Sequence, residues 1–340
     1  MMAASRSGPR RRPDAGRIVA TTREAMDEFD LIGEIRRRVP DAGAGVVLGI
    51  GDDACVLAPA PGRQLVATAD HLVAGRHFVA DGDAAATPEE IGHLALAVNL
   101  SDLAAMGASP RWSLLTLTLP AGDAGWVDRF LGGYLALAER FGCALVGGNL
   151  ARGPLNVAVT ALGEVPAGRF ATRRGARPGD RIVVTGTLGD AAAALRLGPA
   201  AGDALRERLL RPEPRVHAGI DLAARSRALI DVSDGLAADL GHVVAGIGAE
   251  IRVDALPASE ALRAAVPDAE RRRMLQLTGG NDYELVAVLP ADAPAAIESA
   301  GVALTEIGRV TDGGGVRCVD ADGRAVAVRR AGWDHFGGDG

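Results

Sequence analysis

Lysine is absent from this chain of 340 residues, so all 37 of its basic side chains are arginine. A Walker A phosphate-binding loop, the strand lysine of a protein kinase and a pyridoxal Schiff base each require a lysine side chain. The sequence therefore excludes these three kinds of nucleotide or cofactor site.

Cysteine is scarce, and apolar runs are short. Cys55, Cys143 and Cys318 are far apart in sequence and form no CxxC pair, which predicts a reducing, cytoplasmic compartment and no zinc site. No apolar run approaches the roughly 18 residues of a membrane span. Residues 1–26 also lack the apolar stretch of a signal peptide. We therefore expect no membrane partner.

Aromatic residues and net positive charge are also lacking. Aromatics make up 3% of the chain and hydrophobic residues 48%, so the core must be built mainly from Ala, Val and Leu. The net charge of −6 argues against a nucleic-acid partner. The net charge is compatible with small cationic or metal-chelated ligands.

The length predicts two domains of roughly 150 residues each. The stretch VPAGRFATRRGARPGD is rich in Gly, Pro and Arg and marks a boundary near residues 165–180. We predict a disordered extension over 1–26, an N-terminal domain over 27–165 and a C-terminal domain over 166–340. An arginine-rich nucleic-acid arm and a misassigned start codon are the alternatives for the extension.

Alternating strand and helix signals predict that both domains are α/β or α+β. The clearest helix begins with TPEE at 87–90, a capping box with proline at the first helical position, and it stops at Gly107. Within it, Ala95, Asn99 and Asp102 share one stripe, so two polar side chains lie beside an apolar face.

Other segments follow the same two periodicities. The predicted strands are VVLGI, QLVATADHLV, WSLLTLTLP, CALVGGN, PLNVAVTALGEV, RIVVTG, ALIDVSDG, AEIRVDALP, YELVAVLP, ALTEIGRV and the pair VRCVD/AVAVRR. The further predicted helices are FDLIGEIRRRVP, WVDRFLGGYLALAERFG, 190–197, 215–226, 235–247 and 291–300.

Aspartates recur where predicted strands or helices meet turns. They are Asp52, Asp53, Asp70, Asp102, Asp231 and Asp234. Each one alone could be a cap or a turn residue. Gathered at the rim of a core, such charges would raise one another's pKa values unless cations neutralised them. Oxygen ligands without His or Cys suit Mg²⁺, so we predict a magnesium cluster.

Eight ordered segments carry a resemblance over about residues 28–336. They are GIGDDACVL, ATADHLVAGRHF, ALAVNLSDLAAMGASP, LVGGN, TRRGARPGD, DVSDGL, GGNDYEL and AGWDHF. In this order they resemble the thiamine-monophosphate kinases of the aminoimidazole-ribonucleotide-synthetase-like superfamily. The resemblance implies an N-terminal Mg²⁺- and ATP-binding α/β domain that completes a β-barrel in a homodimer, plus a C-terminal α/β domain. It implies ATP-dependent conversion of thiamine monophosphate to thiamine diphosphate.

The resemblance also implies site residues. Metal binding is implied at Asp53, Thr68, Asp70, Asp102, Asn149, Asp231 and Asp234, and at Ala69 through its backbone carbonyl. Nucleotide contacts are implied at Gly148, Asn149, Arg173 and Ser233. Substrate contacts are implied at His77, Asn281 and Trp333. Asp53, Asp70 and Asp102 would act in catalysis through bound metal.

Two positions depart from the family pattern. Asn149 stands where the family usually has the aspartate of a GGD motif, and Asn281 stands where an acid is common. Because an amide oxygen can bind Mg²⁺ but brings no charge, we expect weaker metal affinity rather than lost activity. Trp333 would offer an aromatic face to the thiamine cation, or it anchors the C-terminus in the core.

The implied reaction needs no catalytic base. A phosphate monoester has its second pKa near 6, so the acceptor is mostly a dianion at neutral pH. Several Mg²⁺ ions, with Arg173 as a helper, would neutralise the repulsion between acceptor and ATP.

The alternatives are another enzyme of the superfamily and a binding protein that has lost catalysis. A selenophosphate synthetase would show a reactive cysteine and a lysine near its N-terminus, and the hydrogenase-maturation dehydratase a C-terminal cysteine.

Overall fold

The structure is a computed structural model that describes residues 28–40, 43, 45–82, 84–294, 298–328 and 332. The predicted extension over 1–26 and the predicted substrate residue Trp333 lie outside this part of the chain. The extension and the domain bounds stay predictions.

The N-terminal unit is built around a four-stranded sheet. Its elements in chain order are α1 (Glu28–Arg38), β1 (Val46–Leu48), β2 (Val56–Leu57), β3 (Arg63–Val73), α2 (Pro88–Ala105), β4 (Ser109–Leu119), α3 (Ala124–Phe141), β5 (Ala144–Arg152) and β6 (Asn156–Pro166). The sheet order is β3-β6-β4-β5, with β4 and β5 parallel and the other pairs antiparallel. Strands β1 and β2 form a separate antiparallel pair.

One face of this sheet is covered and the other is open. Helix α2 packs on β3 and β6, and the side chains turned toward it, such as Leu115 and Val159, are buried. On the opposite face of β3, Leu65 is 47% exposed, and Ala69 and His71 are also exposed. We call this second surface the open face.

Helices α2 and α3 approach each other at two glycines. A Cβ on Gly92 would lie 2.1 Å from the carbonyl oxygen of Phe130, and one on Gly133 would lie 1.9 Å from that of Glu89. Helix α2 begins at the predicted capping box, in which Thr87 and Glu90 bond to each other's backbone N–H. Since α2 is buried on nearly all sides, its few polar side chains must find partners within the protein.

The C-terminal unit is built on a second, larger sheet. Its elements are β7 (Arg181–Thr185), α4 (Asp190–Leu197), α5 (Asp203–Leu210), α6 (Val216–Ala223), β8 (Ala228–Asp231), α7 (Leu236–Val243), β9 (Gly248–Arg252), α8 (Glu260–Ala265), α9 (Ala269–Thr278), β10 (Leu285–Leu289), β11 (Glu298–Ser299), β12 (Val302–Thr311), β13 (Gly315–Val319) and β14 (Ala325–Val326). Short 3₁₀ turns lie at Gly198–Ala201 and Val253–Ala255. The main strand order is β14-β13-β9-β12-β7-β10-β8, and β11 pairs with β12.

The two units share one buried core. Helix α2 also contacts β8 and α6, and a single cluster of buried side chains contains Leu115 of the first sheet and Leu285 of the second. The predicted two-part α/β architecture is therefore confirmed, with α2 as the element common to both cores. Among the described residues, no helix combines the length and apolarity needed to cross a membrane.

The predicted helix over 291–300 is wrong. The described residues there form turns and the short strand β11, whose Ser299 pairs with Val302 of β12. Ala300 and Gly301 join the strands with positive φ angles of 48° and 77°. A two-residue loop with both φ angles positive is typical of a tight β-hairpin, which here replaces the helix.

Candidate active site

Carboxylates from both units meet where α2 passes between the sheets. Asp70 lies on β3, Asp102 on α2 and Asp231 at the end of β8. The Thr68 hydroxyl donates a hydrogen bond to Asp102 Oδ2. Since side chains alternate along a strand, Thr68 and Asp70 share the face of β3 that α2 covers.

Polar side chains of α2 hold this arrangement. Asn99 Oδ1 accepts from the backbone N–H of Asp70 at 3.1 Å, and the Asn99 amide donates to the carbonyl of Ala95 at 3.0 Å. Ser101 Oγ donates to Asp231 Oδ2 at 2.7 Å. The predicted stripe of polar residues on this helix therefore faces the carboxylates, and Ser101 adds a contact that sequence reasoning missed.

The carboxylates perturb one another. Asp70 keeps part of its surface exposed. Desolvation of its carboxylate by the surrounding protein and the charge of the neighbouring Asp102 nevertheless raise the pKa of Asp70 to about 6. Burial and Asp102 raise the pKa of Asp231 to about 7, against the lowering effects of the Ser101 hydrogen bond and Arg173. The ionised forms of these crowded carboxylates are disfavoured. A divalent cation bound between them would neutralise their charges and so favour the ionised forms.

A second acidic residue fixes the loop after β8. Asp239 Oδ2 accepts from the backbone N–H groups of Ser233, Asp234 and Gly235 at 3.1, 3.1 and 3.0 Å. Burial and the Asp234 charge raise the pKa of Asp239 to about 6. Sequence reasoning did not select Asp239, although its place in the first turn of α7, just after DVSDG, was an available signal.

Asn281 is held beside this loop. Its backbone N–H donates to the Ser233 carbonyl at 2.9 Å. The structure therefore brings together Asp70, Asp102, Asp231, Ser233, Asp234 and Asn281 of the predicted set, with Arg173 near Asp231.

A cavity of about 850 Å³ lies elsewhere, between α1, the 49–55 loop and the strands β4 and β5. Asp52, Asp53, Gly148 and Asn149 line it. Its volume suits a small-molecule ligand. Gly148 has a φ of +150°, and a Cβ there would lie 1.8 Å from the Leu115 carbonyl oxygen, so only glycine fits.

The strand register separates this cavity from the carboxylates. Asp70 pairs with Val159, Val159 with Leu115 and Leu115 with Gly148, so Asp70 and Gly148 lie at opposite edges of the sheet. Three strand spacings amount to roughly 14 Å. Asn149 pairs with the exposed Thr116, which places it on the open face, opposite to the face that carries Asp70. Within one chain, Asn149 and Asp70 cannot bind the same ion.

Two further predicted residues lie on β3 and in the turn that follows it. His77 Nδ1 accepts from the Val73 N–H at 3.0 Å, and its ring centroid is 6.0 Å from that of His71. Ala69 lies on the open face of β3.

Within the described ranges, no group of three or more His, Cys, Asp and Glu side chains is arranged so that it could hold a metal ion. The donor chemistry nevertheless fits Mg²⁺, because the carboxylates are crowded and the pKa values of Asp70 and Asp231 are raised. All metal, nucleotide and substrate assignments stay predictions.

Comparisons with known proteins agree with the fold and the motifs. Residues 51–165 match the family described as AIR synthase related protein, N-terminal domain, and residues 177–321 match its C-terminal domain. A thiamine-monophosphate kinase of Salmonella typhimurium is 43% identical over 328 residues, covering 92% of this chain and 99% of the relative.

Solved structures give the same picture. A thiamine-monophosphate kinase from Stenotrophomonas maltophilia superposes with a TM-score of 0.79 at 45% identity, covering 89% of this chain and 98% of that one. AaThiL complexed with AMPPCP and TMP superposes with a TM-score of 0.72 at 32% identity, covering 91% and 97%. The likeness extends over both units and nearly the full length of each relative, so the chain belongs to the AIR synthase related family and, within it, to the thiamine-monophosphate kinases.

Proposed function

We propose that this chain transfers the terminal phosphoryl group of ATP to thiamine monophosphate, forming thiamine diphosphate and ADP. The observation that carries the proposal is the set of carboxylates at the junction of the two units, in a chain 43% identical to a thiamine-monophosphate kinase. The complex of a related structure with AMPPCP and TMP supports both substrates.

The acceptor needs no deprotonation by the protein, because its phosphate is mostly a dianion at neutral pH. An acceptor oxygen forms a bond to the γ-phosphorus while the bond to the β–γ bridging oxygen breaks, and ADP leaves. At the junction, Mg²⁺ would be held by Thr68, Asp70, Asp102, Asp231 and Asp234, with Ala69 offering its carbonyl. Asp53 would hold Mg²⁺ from the cavity that it lines together with Asn149. When bound, Mg²⁺ supplies neutralisation and alignment of the phosphates.

Other residues bind and orient the substrates. Gly148, Asn149 and Ser233 would contact the nucleotide, and Gly148 is exposed to solvent. Arg173 adds positive charge beside Asp231, where it already lowers the carboxyl pKa. His77, Asn281 and Trp333 would contact thiamine monophosphate.

We also propose that the active form is a homodimer in which each site combines the carboxylates of one chain with Asn149 of the other. The open face presents apolar surface, including Leu65, 47% exposed. Because Asn149 lies on that face, roughly 14 Å along the sheet from Asp70's position, a second copy is the way for Asn149 to reach the carboxylates. A stable monomer in sedimentation experiments, under conditions that support turnover, would contradict this arrangement.

The free thiols Cys55, Cys143 and Cys318 support the proposed cytoplasmic location, since a reducing compartment keeps such thiols unpaired.

The test of the function is a ³¹P NMR assay with ATP, MgCl₂ and thiamine monophosphate, beside a reaction without the acceptor. A new diphosphate ester should appear in step with ADP, and Asp70→Asn should abolish it while the circular dichroism spectrum stays unchanged. ATP binding without turnover would favour a protein that has lost catalysis, and Asn149→Asp would then be expected to restore activity.

A further inference from the structure

Tyr283 adopts a backbone conformation that is rare for its residue type. Its φ is +51°, and that of Asn281, two residues earlier, is +64°. Asparagine tolerates the left-handed region, but a bulky aromatic residue there is an outlier that the surrounding structure must impose. Such outliers concentrate at functional sites.

Strong contacts on both sides impose this conformation. The carboxylate of Asp282 accepts from the Gly189 N–H at 2.9 and 3.0 Å. Glu284, fully buried, accepts from the Thr185 hydroxyl at 2.6 Å and from Nη2 and Nε of Arg215 at 2.6 and 2.7 Å. Residues 282 and 284 are therefore anchored in the C-terminal unit.

Tyr283, between these two anchored residues, lies beside the candidate active site. The Tyr283 N–H donates to the Val232 carbonyl at 2.9 Å, which ties the residue to the loop after β8. Burial, and then the charges of Asp70, Asp231, Asp102 and Asp234, raise the pKa of the Tyr283 phenol. The hydroxyl is thus a neutral hydrogen-bond donor that faces the carboxylates.

The hydroxyl of Tyr283 donates to Asn281 Oδ1 at 3.2 Å. An amide whose oxygen is held in this way turns its NH₂ group in the other direction. The Asn281 side chain is thereby kept in one orientation before any ligand arrives, and a preorganised contact costs less ordering on binding.

We propose that Tyr283 is a positioning residue that acts through Asn281: its hydroxyl fixes the Asn281 amide so that the NH₂ group is presented to an acceptor atom of thiamine monophosphate. The proposal rests on the proposed function, in which Asn281 contacts this substrate. Tyr283 would thus contribute to the recognition of thiamine monophosphate without contacting this substrate itself.

The test is a double-mutant cycle on the full chain. Tyr283→Phe removes the hydroxyl and keeps the ring. Asn281→Gly removes the amide, and glycine accepts the positive φ without strain. Calorimetry with AMPPCP and MgCl₂ gives the Kd for thiamine monophosphate, and steady-state assays give kcat and the two KM values.

We expect Tyr283→Phe to weaken binding of thiamine monophosphate about 5-fold, as for one hydrogen bond. The kcat and the KM for ATP should change less than about 2-fold, because the proposed role of the hydroxyl is to orient the Asn281 amide. In the Asn281→Gly background the same substitution should have almost no effect on the Kd. In an Asn281→Asp background, which keeps an acceptor oxygen for the Tyr283 hydroxyl but has no NH₂ group to present, the effect on the Kd should also be absent.

The chain offers a matched control in its second tyrosine. Tyr134 is buried in α3, and its hydroxyl has no hydrogen-bond partner among the described residues. Tyr134→Phe should leave the Kd, the kcat and both KM values unchanged.

Two outcomes separate the proposals. A wild-type protein that neither binds nor phosphorylates thiamine monophosphate overturns the proposed function and this inference together. An active wild type in which Tyr283→Phe weakens binding equally with and without the Asn281 amide, or not at all, overturns the inference alone.

Discussion

Asp231 shows how a single residue can oppose folding and serve function. It is 3% exposed, and burial with the Asp102 charge raises its pKa to about 7. The ionised form is therefore costly in the folded protein at neutral pH unless a cation is present. This balance leads to a prediction about metal-free protein.

We expect Asp231→Asn to raise the free energy of unfolding of EDTA-treated protein at pH 7.5 by about 2 kcal/mol, because it removes a buried charge. The Asn oxygen can still accept from Ser101. Kinase turnover should be lost. Urea denaturation measures the first effect, with the exposed Asp128→Asn as the control. A destabilised Asp231→Asn protein would refute the argument.

The buried His93 makes the stability of the folded protein depend on pH. It is 8% exposed in α2, with Nε2 3.0 Å from the Pro212 carbonyl oxygen, and burial lowers its pKa from the usual 6.5. The folded state therefore binds fewer protons than the unfolded state below pH 6.5. Stability falls as the pH drops below 6.5, until the folded-state pKa is reached.

For each pKa unit by which the folded protein lowers the pKa of His93, the free energy of unfolding falls by about 1.4 kcal/mol once the pH is below both pKa values. We expect His93→Gln, which can still donate to Pro212, to lose less stability than the wild type between pH 7.5 and 5.5. Urea denaturation at the two pH values measures the difference. The exposed His242→Gln should behave like the wild type, and an equal loss in His93→Gln would exclude His93 as the cause.

The sequence predicted some of the residues that the structure brings together and missed others for a physical reason. Asp70 and Asp231 were recognisable because each ends an apolar run with a charge. The role of Ser101 depends on a partner 130 residues away. Tyr283 depends on a φ of +51° that no local pattern predicts. Tertiary contacts alone reveal such roles.

Among the elements, α2 and α3 depend on their close approach. A Cβ on Gly133 would lie 1.9 Å from the Glu89 carbonyl oxygen, whereas the adjacent Gly132 has only an Arg38 nitrogen at 4.0 Å. The neighbouring glycines therefore have opposite requirements.

We expect Gly133→Ala to destabilise the protein by about 2–3 kcal/mol, since the helices must separate to relieve the clash. Gly132→Ala should instead stabilise it by up to about 1 kcal/mol, because alanine is the better helix former. Thermal unfolding by circular dichroism compares the pair. Equal effects in both variants would show that the helix contact tolerates a methyl group.

Element prediction succeeded where local signals agreed. The capping box at Thr87 and Glu90 forms as predicted, and the apolar strands β7, β8 and β10 are in place. It failed at 291–300, where pairing with β12 outweighed a helical pattern. The short helices α5, α8 and α9 were not predicted, because such segments owe their stability to packing.

For the whole molecule, the shared core predicts cooperative unfolding. Side chains of both sheets belong to one buried cluster, and α2 contacts strands of both. Two independent domains would instead unfold in separate steps.

We expect a single urea transition. In a Trp333→Phe variant, fluorescence reports Trp112 and Trp126, both in the N-terminal unit, while circular dichroism reports the whole chain. The two curves should coincide. Separated midpoints would show that the shared core does not couple the units.

The register that places Asp70 and Asn149 at opposite edges of one sheet has a genetic consequence. In the proposed dimer each site takes Asp70 from one chain and Asn149 from the other, so an Asp70→Asn chain and an Asn149→Ala chain carry complementary lesions. Random assortment makes half of the dimers mixed, each with one intact site, so co-expression should return about a quarter of wild-type activity. Two inactive alleles would then rescue each other, and a chain carrying both substitutions would rescue neither.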